Sequence, residues 1–556
     1  MEEVLVDRYV IFEDELAKII GERGGTPESL TVESTLEKVY AKDLRGEEME
    51  AELQRATKEL MRRYREEVEL PADEILLQRK ASRPSAVKKV AVPLTGNCDD
   101  HDADFYSQAL DGIEPHLRQV ADPPGLTSLV LRVSWPGGSA LRRFPTGAYI
   151  SSADHNLLAF YVGPYRPGFA AAGFYLVYDA WANSVAVVPQ LPSRSINAFS
   201  HCNIGAGVAV LRHNLPSDYI LVELLPRLDN RCLISTSATF CMWWSSGPAA
   251  GRWIQKEVVL PLPSEPDEDS SQPDYNFCAD TIFTAGTNCL CWVDLLQGIL
   301  ICDHVLDHHP EFRFVALPWE CSIKPDPEGD RGMPDQYRSM CCVRRGDDHI
   351  IKFISMHGHG QGADISDVAL MIWTLDPCDP MSKWKAGKTS FRISDLWCDP
   401  IYKRELPPRT PSCPVVSLVQ DDVIYITVED MLNTEARGPC VLSLDMNKHR
   451  VLSAFMPPPQ SRVFPLPSIF ASTFTTYLNK RSEWSEAMLR KCEEEQMGDW
   501  RKREKSVMLS TSSDAMAMSS QYFRRAQLPT GLGLRSRPHS ISNERSVGLA
   551  LLLDDI

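Results

Sequence analysis

No stretch of this 556-residue chain approaches the roughly 18 consecutive apolar residues of a membrane-spanning helix, so no membrane partner is expected. The start, MEEVLVDRYVIFEDELAKII, lacks the basic n-region and unbroken apolar core of a signal peptide. Together these predict a soluble protein of the cytoplasm, the nucleus or both. Positive charge is in deficit: 58 lysines and arginines face 75 aspartates and glutamates, a formal charge of −17. A phosphate-binding surface needs Lys and Arg to displace counterions, so direct nucleic-acid binding is not expected. C-x-x-C is absent although there are 16 cysteines, which excludes a zinc ribbon or thioredoxin motif and reads as thiols in a reducing compartment. Also absent are G-x-S-x-G, H-E-x-x-H, Walker and EF-hand loops, the local signatures of hydrolases, metalloproteases, NTPases and calcium sites. No cofactor is expected, and no catalytic residue stands out.

What is present is ordinary globular material, 43% hydrophobic and 24% charged, able to bury a large core. Residues 1–70 read as a small helical module. Val4 to Ile20 is one expected helix, and Glu47 to Glu69 is a second, with Met49, Leu53, Ala56, Leu60 and Tyr64 on one stripe and Pro71 ending it. The stripe serves either packing or a partner helix. Residues 71–127 show no sustained period and read as a linker. From Ser128 to about residue 480, short apolar, β-branched and aromatic runs alternate with turn residues: LVLRV, LLAFYV, FYLVYD, YILVELL, CLCWVD, GILICD, VIYITVED and others. Strands of this length without intervening helices predict a mainly β fold. Asp179, Asp294, Asp376 and Asp445 each end such a run, and a second strand usually follows. This faint repeat predicts a β-propeller-like body of about six blades, with a pair of β-sandwiches as the alternative.

The run CWVDLLQGILICDHVLDHHPEFRFVALP concentrates acids and histidines. Asp294 and Gly298 bracket a strand reversal, the carboxylate accepting local N–H bonds and the glycine supplying a positive φ, so both are expected as turn residues. Asp303, His304, Asp307, His308 and His309 fall in the next connection and also read as turn residues rather than metal ligands, since metal ligands must converge. MHGHGQGAD contains G-x-G-x-x-A at Gly358, Gly360 and Ala363, but a dinucleotide site would need a helix to open there, and VALMIWTLD reads as a strand. His357 and His359 lack an assured third ligand, and no metal site is expected.

The motif W-V-D-L-x-x-G-I-L-x-C-D from Trp292 to Asp303, flanked by KEVVLPLP and FRFVALP, resembles the plant domain of unknown function 1618, a family expanded in grasses. RSMCCVRRGDDHIIKFISM, Trp373 to Leu375, Ile393 to Trp397 and VVSLVQDDVIYITV fit the same resemblance, which covers about residues 258–428. FYLVYDAWANSVAVVPQLP resembles units of F-box-associated propeller domains, although no F-box is visible in residues 1–70. The resemblance implies no activity, cofactor or catalytic residue.

Residues 481–556 form a polar, Ser-rich tail of disordered composition. Arg535, Arg537 and Ser540 have the R-x-R-x-x-S spacing of a candidate phosphosite. Leu549, Leu551 and Leu553 form L-x-L-x-L, which resembles the motif plant regulators use to recruit corepressors; the alternative is a terminal strand or helix folding back. The expected function is a non-enzymatic scaffold for a protein partner. The alternatives are an enzyme or small-ligand binder using the mouth of the propeller, and a transcriptional co-regulator acting through the leucine motif. Composition says nothing about partner identity or oligomeric state.

Overall fold

The computed structural model describes residues 3–480 other than 43, 84, 92–99, 144–146, 164–172, 193–195, 197–199, 214–217, 229–233, 263–276, 287, 322, 324–330, 347, 360–363, 429–438 and 457–467. The described residues divide into two compact units, one of residues 3–26 and 63–480, the other of residues 27–62. In the second unit, Thr31 caps the helix Val32–Tyr40 by accepting from the Ser34 amide (3.2 Å), and Glu52 pairs with Lys42 and Arg55.

The first unit is mainly β, as its alternating runs predict. Four consecutive strands, Gly147–Asp154, Leu157–Gly163, Phe174–Asp179 and Ser184–Val188, pair antiparallel in chain order and make the first sheet. The pattern recurs in a second sheet (Val208–Arg212, Tyr219–Leu228, Ile234–Trp244, Trp253–Val259) and a third (Thr281–Thr284, Cys289–Asp294, Gly298–Asp303, Glu311–Ala316). It recurs again in a fourth (Arg338–Arg345, Asp348–His357, Ala369–Leu375, Lys385–Arg392) and a fifth (Pro411–Val416, Val423–Val428, Cys440–Asp445, Arg450–Phe455). A sixth group is assembled from distant segments. Ile469–Ser472 pairs antiparallel with Val4–Asp7, which runs parallel to Leu126–Val133, itself antiparallel to Ile113–Gln119. Tyr9–Asp14 pairs with both Leu126–Val133 and Gly147–Asp154, joining the sixth group to the first sheet.

The first strands of sheets one to five lie against one another in order, and that of the fifth lies against Ile469–Ser472. A hydrophobic core fills the space between each sheet and the next, and another lies between the sixth group and the first sheet. Strand alternation explains how one strand serves two cores. Ile220, Val222 and Leu224 face the third sheet, while Leu221 and Leu225 face the first. Burial on both faces is why these strands read as nearly continuous apolar runs.

The N-terminal expectations need correction. Val4 to Ile20 is not one helix: Val4–Asp7 and Tyr9–Asp14 are strands, and only Glu15–Glu22 is helical, capped by Asp14, which accepts from Leu16 and Ala17 amides at 2.9 and 3.1 Å. Pairing with Ile469–Ser472 overrides the local helical pattern. Nor does Pro71 end the second helix. The chain is α-helical over Glu47–Tyr64, makes a π turn over Arg65–Glu69 and continues as Leu70–Ser82, with Pro71 in the first turn, where its missing N–H costs little. The stretch 71–127, expected as a linker, carries the helix Asp100–Gly112 and two strands of the sixth group; Tyr106, Ala109, Ile113 and Leu126 are buried.

Candidate functional site

The hairpin Cys289–Asp294 to Gly298–Asp303 turns through Leu295, Leu296 and Gln297. Asp294 is the expected turn acceptor: its Oδ1 accepts from the Leu296 amide at 2.9 Å. It is also completely buried, which the sequence did not show. Its Oδ2 accepts from the Cys278 amide (3.0 Å), and Arg331 donates to both carboxylate oxygens (2.8 and 3.1 Å) and to Asp280 Oδ2 (2.5 Å). Burial pushes the Asp280 carboxyl up and the Arg331 charge opposes it, while Asp280 and Asp294 hold the Arg331 proton against burial. Two carboxylates around one guanidinium, with backbone donors on the remaining lone pairs, form a clamp that fixes the turn.

Gly298 differs from expectation. It opens a strand and is not among the positive-φ residues; a Cβ there would lie 2.5 Å from the Val315 carbonyl oxygen and 2.5 Å from Phe314 Cζ. Glycine is required by close approach of the neighbouring strand, not by φ.

The other acids and histidines of this run do separate jobs. Asp303 accepts from Arg313 Nε (3.0 Å) across the sheet, His304 takes a left-handed φ of 59° in the next turn, and exposed His308 and His309 contact each other at 3.0 Å. In the fourth sheet, His357 ends a strand, and His359 stacks on Tyr337 with ring centroids 5.0 Å apart; burial lowers its pKa, aided by Arg338. Among the described residues, no group of three or more His, Cys, Asp or Glu side chains is placed to hold a metal. Gly358 has φ +91°, Gly360 and Ala363 lie outside the described residues, and the next elements are a 3-10 turn, Ile365–Asp367, and the strand Ala369–Leu375. Ser540, Leu549, Leu551 and Leu553 lie outside the described residues.

Sequence reasoning missed a cluster where the first strands of four sheets end. Asp154, Arg212, Thr284 and Arg344 stand at or next to the last positions of Gly147–Asp154, Val208–Arg212, Thr281–Thr284 and Arg338–Arg345. Buried Asp154 accepts from the Arg212 amide (2.8 Å) and Thr284 Oγ1 (3.1 Å), and meets His155 Nδ1 at 2.8 Å. Arg344 NH1 is 3.2 Å from His155 Nε2. Arginine only donates, so Nε2 is the acceptor and Nδ1–H donates to Asp154, which assigns the tautomer. The Arg212 guanidinium lies 5.6 Å from the Trp181 ring centroid. Burial raises the Tyr477 pKa; Arg212 and Arg344 oppose it and Asp154 adds to it, so the phenol lies in their common field. DHN after a strand reads only as a turn, so no local signal marked this cluster.

The surface of the third and fourth sheets carries the other feature. Trp319 and Met381 are each 83% exposed. Trp384 Nε1 donates to the Ala316 carbonyl at 2.7 Å, bringing together the bases of the two loops that carry them.

These observations define a mainly β protein built of consecutive four-stranded antiparallel sheets. Residues 292–425 match the family described as protein of unknown function (DUF1618). No curated protein matches. Among solved structures, the chain is similar to an ACO/RPE65 chimera in a monoclinic crystal form (10% identity, 53% of this chain and 59% of that chain covered, TM-score 0.24), so it spans less than two thirds of that protein. It is also similar to a thermostable family-43 glycoside hydrolase (10% identity, 57% and 98% covered, TM-score 0.26) and to a second glycoside hydrolase (9%, 71% and 98%, TM-score 0.23). Nothing about activity follows from likenesses at these TM-scores.

Proposed function

We propose that this protein is a non-enzymatic interaction module of propeller-like architecture that holds a protein partner on the surface of its third and fourth sheets. The observation that carries this reading is the exposure of Trp319 and Met381, two large apolar side chains on loops joined at their bases by the Trp384–Ala316 hydrogen bond. Exposed Trp is the residue type that anchors protein interfaces. The adjacent strand Lys385–Arg392 is the last of its sheet and carries exposed Lys385 and Lys388, with Lys383 just before it. An extended acidic segment bearing an apolar side chain fits this surface: its backbone adds to the open edge, its carboxylates meet the lysines, and its apolar residue packs on Trp319. The test is proximity labelling in cells with the full chain, comparing wild type, Trp319→Ser/Met381→Ser and the control Val259→Ser on the second sheet. Loss of the labelled partner in the double variant alone, with an unchanged melting temperature, supports the reading. Equal labelling by all three refutes it.

A further inference from the structure

We propose that the ends of the first strands form a binding site for a small oxyanion, held between Arg212 and Arg344 with the Tyr477 hydroxyl beside it. This site is independent of the partner surface proposed above. Its groups come from separate sheets: Asp154 and His155 from the first, Arg212 from the second, Thr284 from the third, Arg344 from the fourth, and Tyr477 from the segment after Ile469–Ser472.

The carboxylates nearby take their hydrogen bonds from donors other than the guanidinium groups, with Asp179 also in the field of Arg212. Asp154 is satisfied by His155, Thr284 and the Arg212 backbone amide. Asp179, at the same end of the first sheet, accepts from Asn156 Nδ2 (2.6 Å) and from the Trp181 and Ala182 amides (2.8 and 3.0 Å). Arg344 Nε donates to the Gly346 carbonyl (3.2 Å), and its NH1 meets His155. Neither Arg212 nor Arg344 forms an ion pair within 4 Å among the described residues. By contrast, the neighbouring Arg345 pairs with Asp421. Both guanidinium groups act on Tyr477, whose ring centroid lies 6.5 Å from that of His155, and neither is ion-paired among the described residues, although Arg212 also lies in the field of Asp179; planar forks of donors suit phosphate and carboxylate oxygens.

The surroundings orient these donors. Trp181 provides a flat face for Arg212, and the Asp154–His155 pair presents a fixed acceptor to Arg344, so both side chains are positioned before a ligand arrives. Arg344 and His155 are exposed, so the site opens to solvent.

The experiment titrates the full chain with inorganic phosphate and, separately, with citrate, holding ionic strength constant with sodium chloride, and reads heat by calorimetry and thermal shift in parallel. The expected result is saturable binding of one probe, weakened about tenfold or more in Arg344→Gln and in Arg212→Gln, and unchanged in the control His308→Ala. A response to phosphate identifies a phosphoryl ligand, and one to citrate a carboxylate ligand. Arg344 is exposed, so Arg344→Gln decides alone if Arg212→Gln does not fold. Absence of saturable binding of either probe, or equal affinity of wild type and Arg344→Gln, overturns the proposal.

Discussion

Replacing Gly298 by alanine tests the packing of the third sheet at one atom. The new Cβ would sit 2.5 Å from the Val315 carbonyl oxygen, a separation real Cβ contacts do not reach, and 2.5 Å from Phe314 Cζ. The Phe314 ring can rotate away, but the Val315 carbonyl belongs to the paired strand Glu311–Ala316 and cannot move without widening the sheet. Overpacking of this kind costs about 1–3 kcal/mol, and weakening one ladder hydrogen bond adds about 1 kcal/mol. At about 2.1 cal/mol/K per residue, a cooperative unit of about 450 residues loses roughly 1 °C of melting temperature per kcal/mol, so Gly298→Ala should melt about 2–4 °C lower. The comparison is Gly346, where φ is +61° and nothing lies within 4 Å of a Cβ. There alanine should cost about 1–2 kcal/mol from left-handed strain, and asparagine should recover most of it. At Gly298 asparagine should recover nothing, because its Cβ meets the same oxygen. Scanning calorimetry and denaturant midpoints of the four variants check this. A Gly298→Ala protein with wild-type midpoints, or rescue by Gly298→Asn, would refute the close-approach argument.

Burial raises the Glu223 carboxyl to about 7, against lowering by bonds from the Tyr175 hydroxyl and the Gly205 amide (2.5 Å). The folded state therefore binds more protons than the unfolded state between about pH 4.5 and 7, and stability falls as pH rises through that window. Glu223→Gln should stabilise the protein at pH 8 by up to about 3 kcal/mol, with the gain vanishing near pH 4.5; an equal effect at both pH values would count against the assignment. Arg331→Met leaves Asp280 and Asp294 buried without their cation, so a loss of about 3–5 kcal/mol is expected, smaller at pH 5 than at pH 8 because a carboxyl can then take up a proton. Wild-type melting at pH 8 would show that the clamp is not structural. Because His304, His308, His357 and His359 occupy separate settings, purified protein should carry no stoichiometric zinc, nickel or copper; one metal per chain, lost in His357→Ala, would overturn this.

The strands were legible because each carries its own signal. YILVELL is apolar on both faces and lies between two cores, and CLCWVD–GILICD is a hairpin whose Asp294 caps its own turn. Val4–Asp7 was misread because its partner, Ile469–Ser472, lies more than 460 residues away, and no local periodicity reports such a pairing. The stretch 71–127 failed in the same way: Ile113–Gln119 finds its partner in Leu126–Val133, while its mixed charges and proline look like a linker.

Functional convergence is harder still to read, since it depends on where strands end rather than on what flanks them. Asp294 and Arg331 are 37 residues apart with two strands between them, yet Arg331 donates to both Asp294 oxygens. Asp154 and Arg344 are separated by two intervening sheets, yet both reach His155 because successive first strands lie side by side and run out at the same end. In a fold built from repeated sheets, chemically important residues are therefore expected one per sheet, at equivalent strand ends and at irregular sequence spacing. Arg212, Thr284 and Arg344 have that distribution, whereas His308 and His309 of the conspicuous HVLDHH cluster contact each other within one connection, and among the described residues no metal-holding group forms.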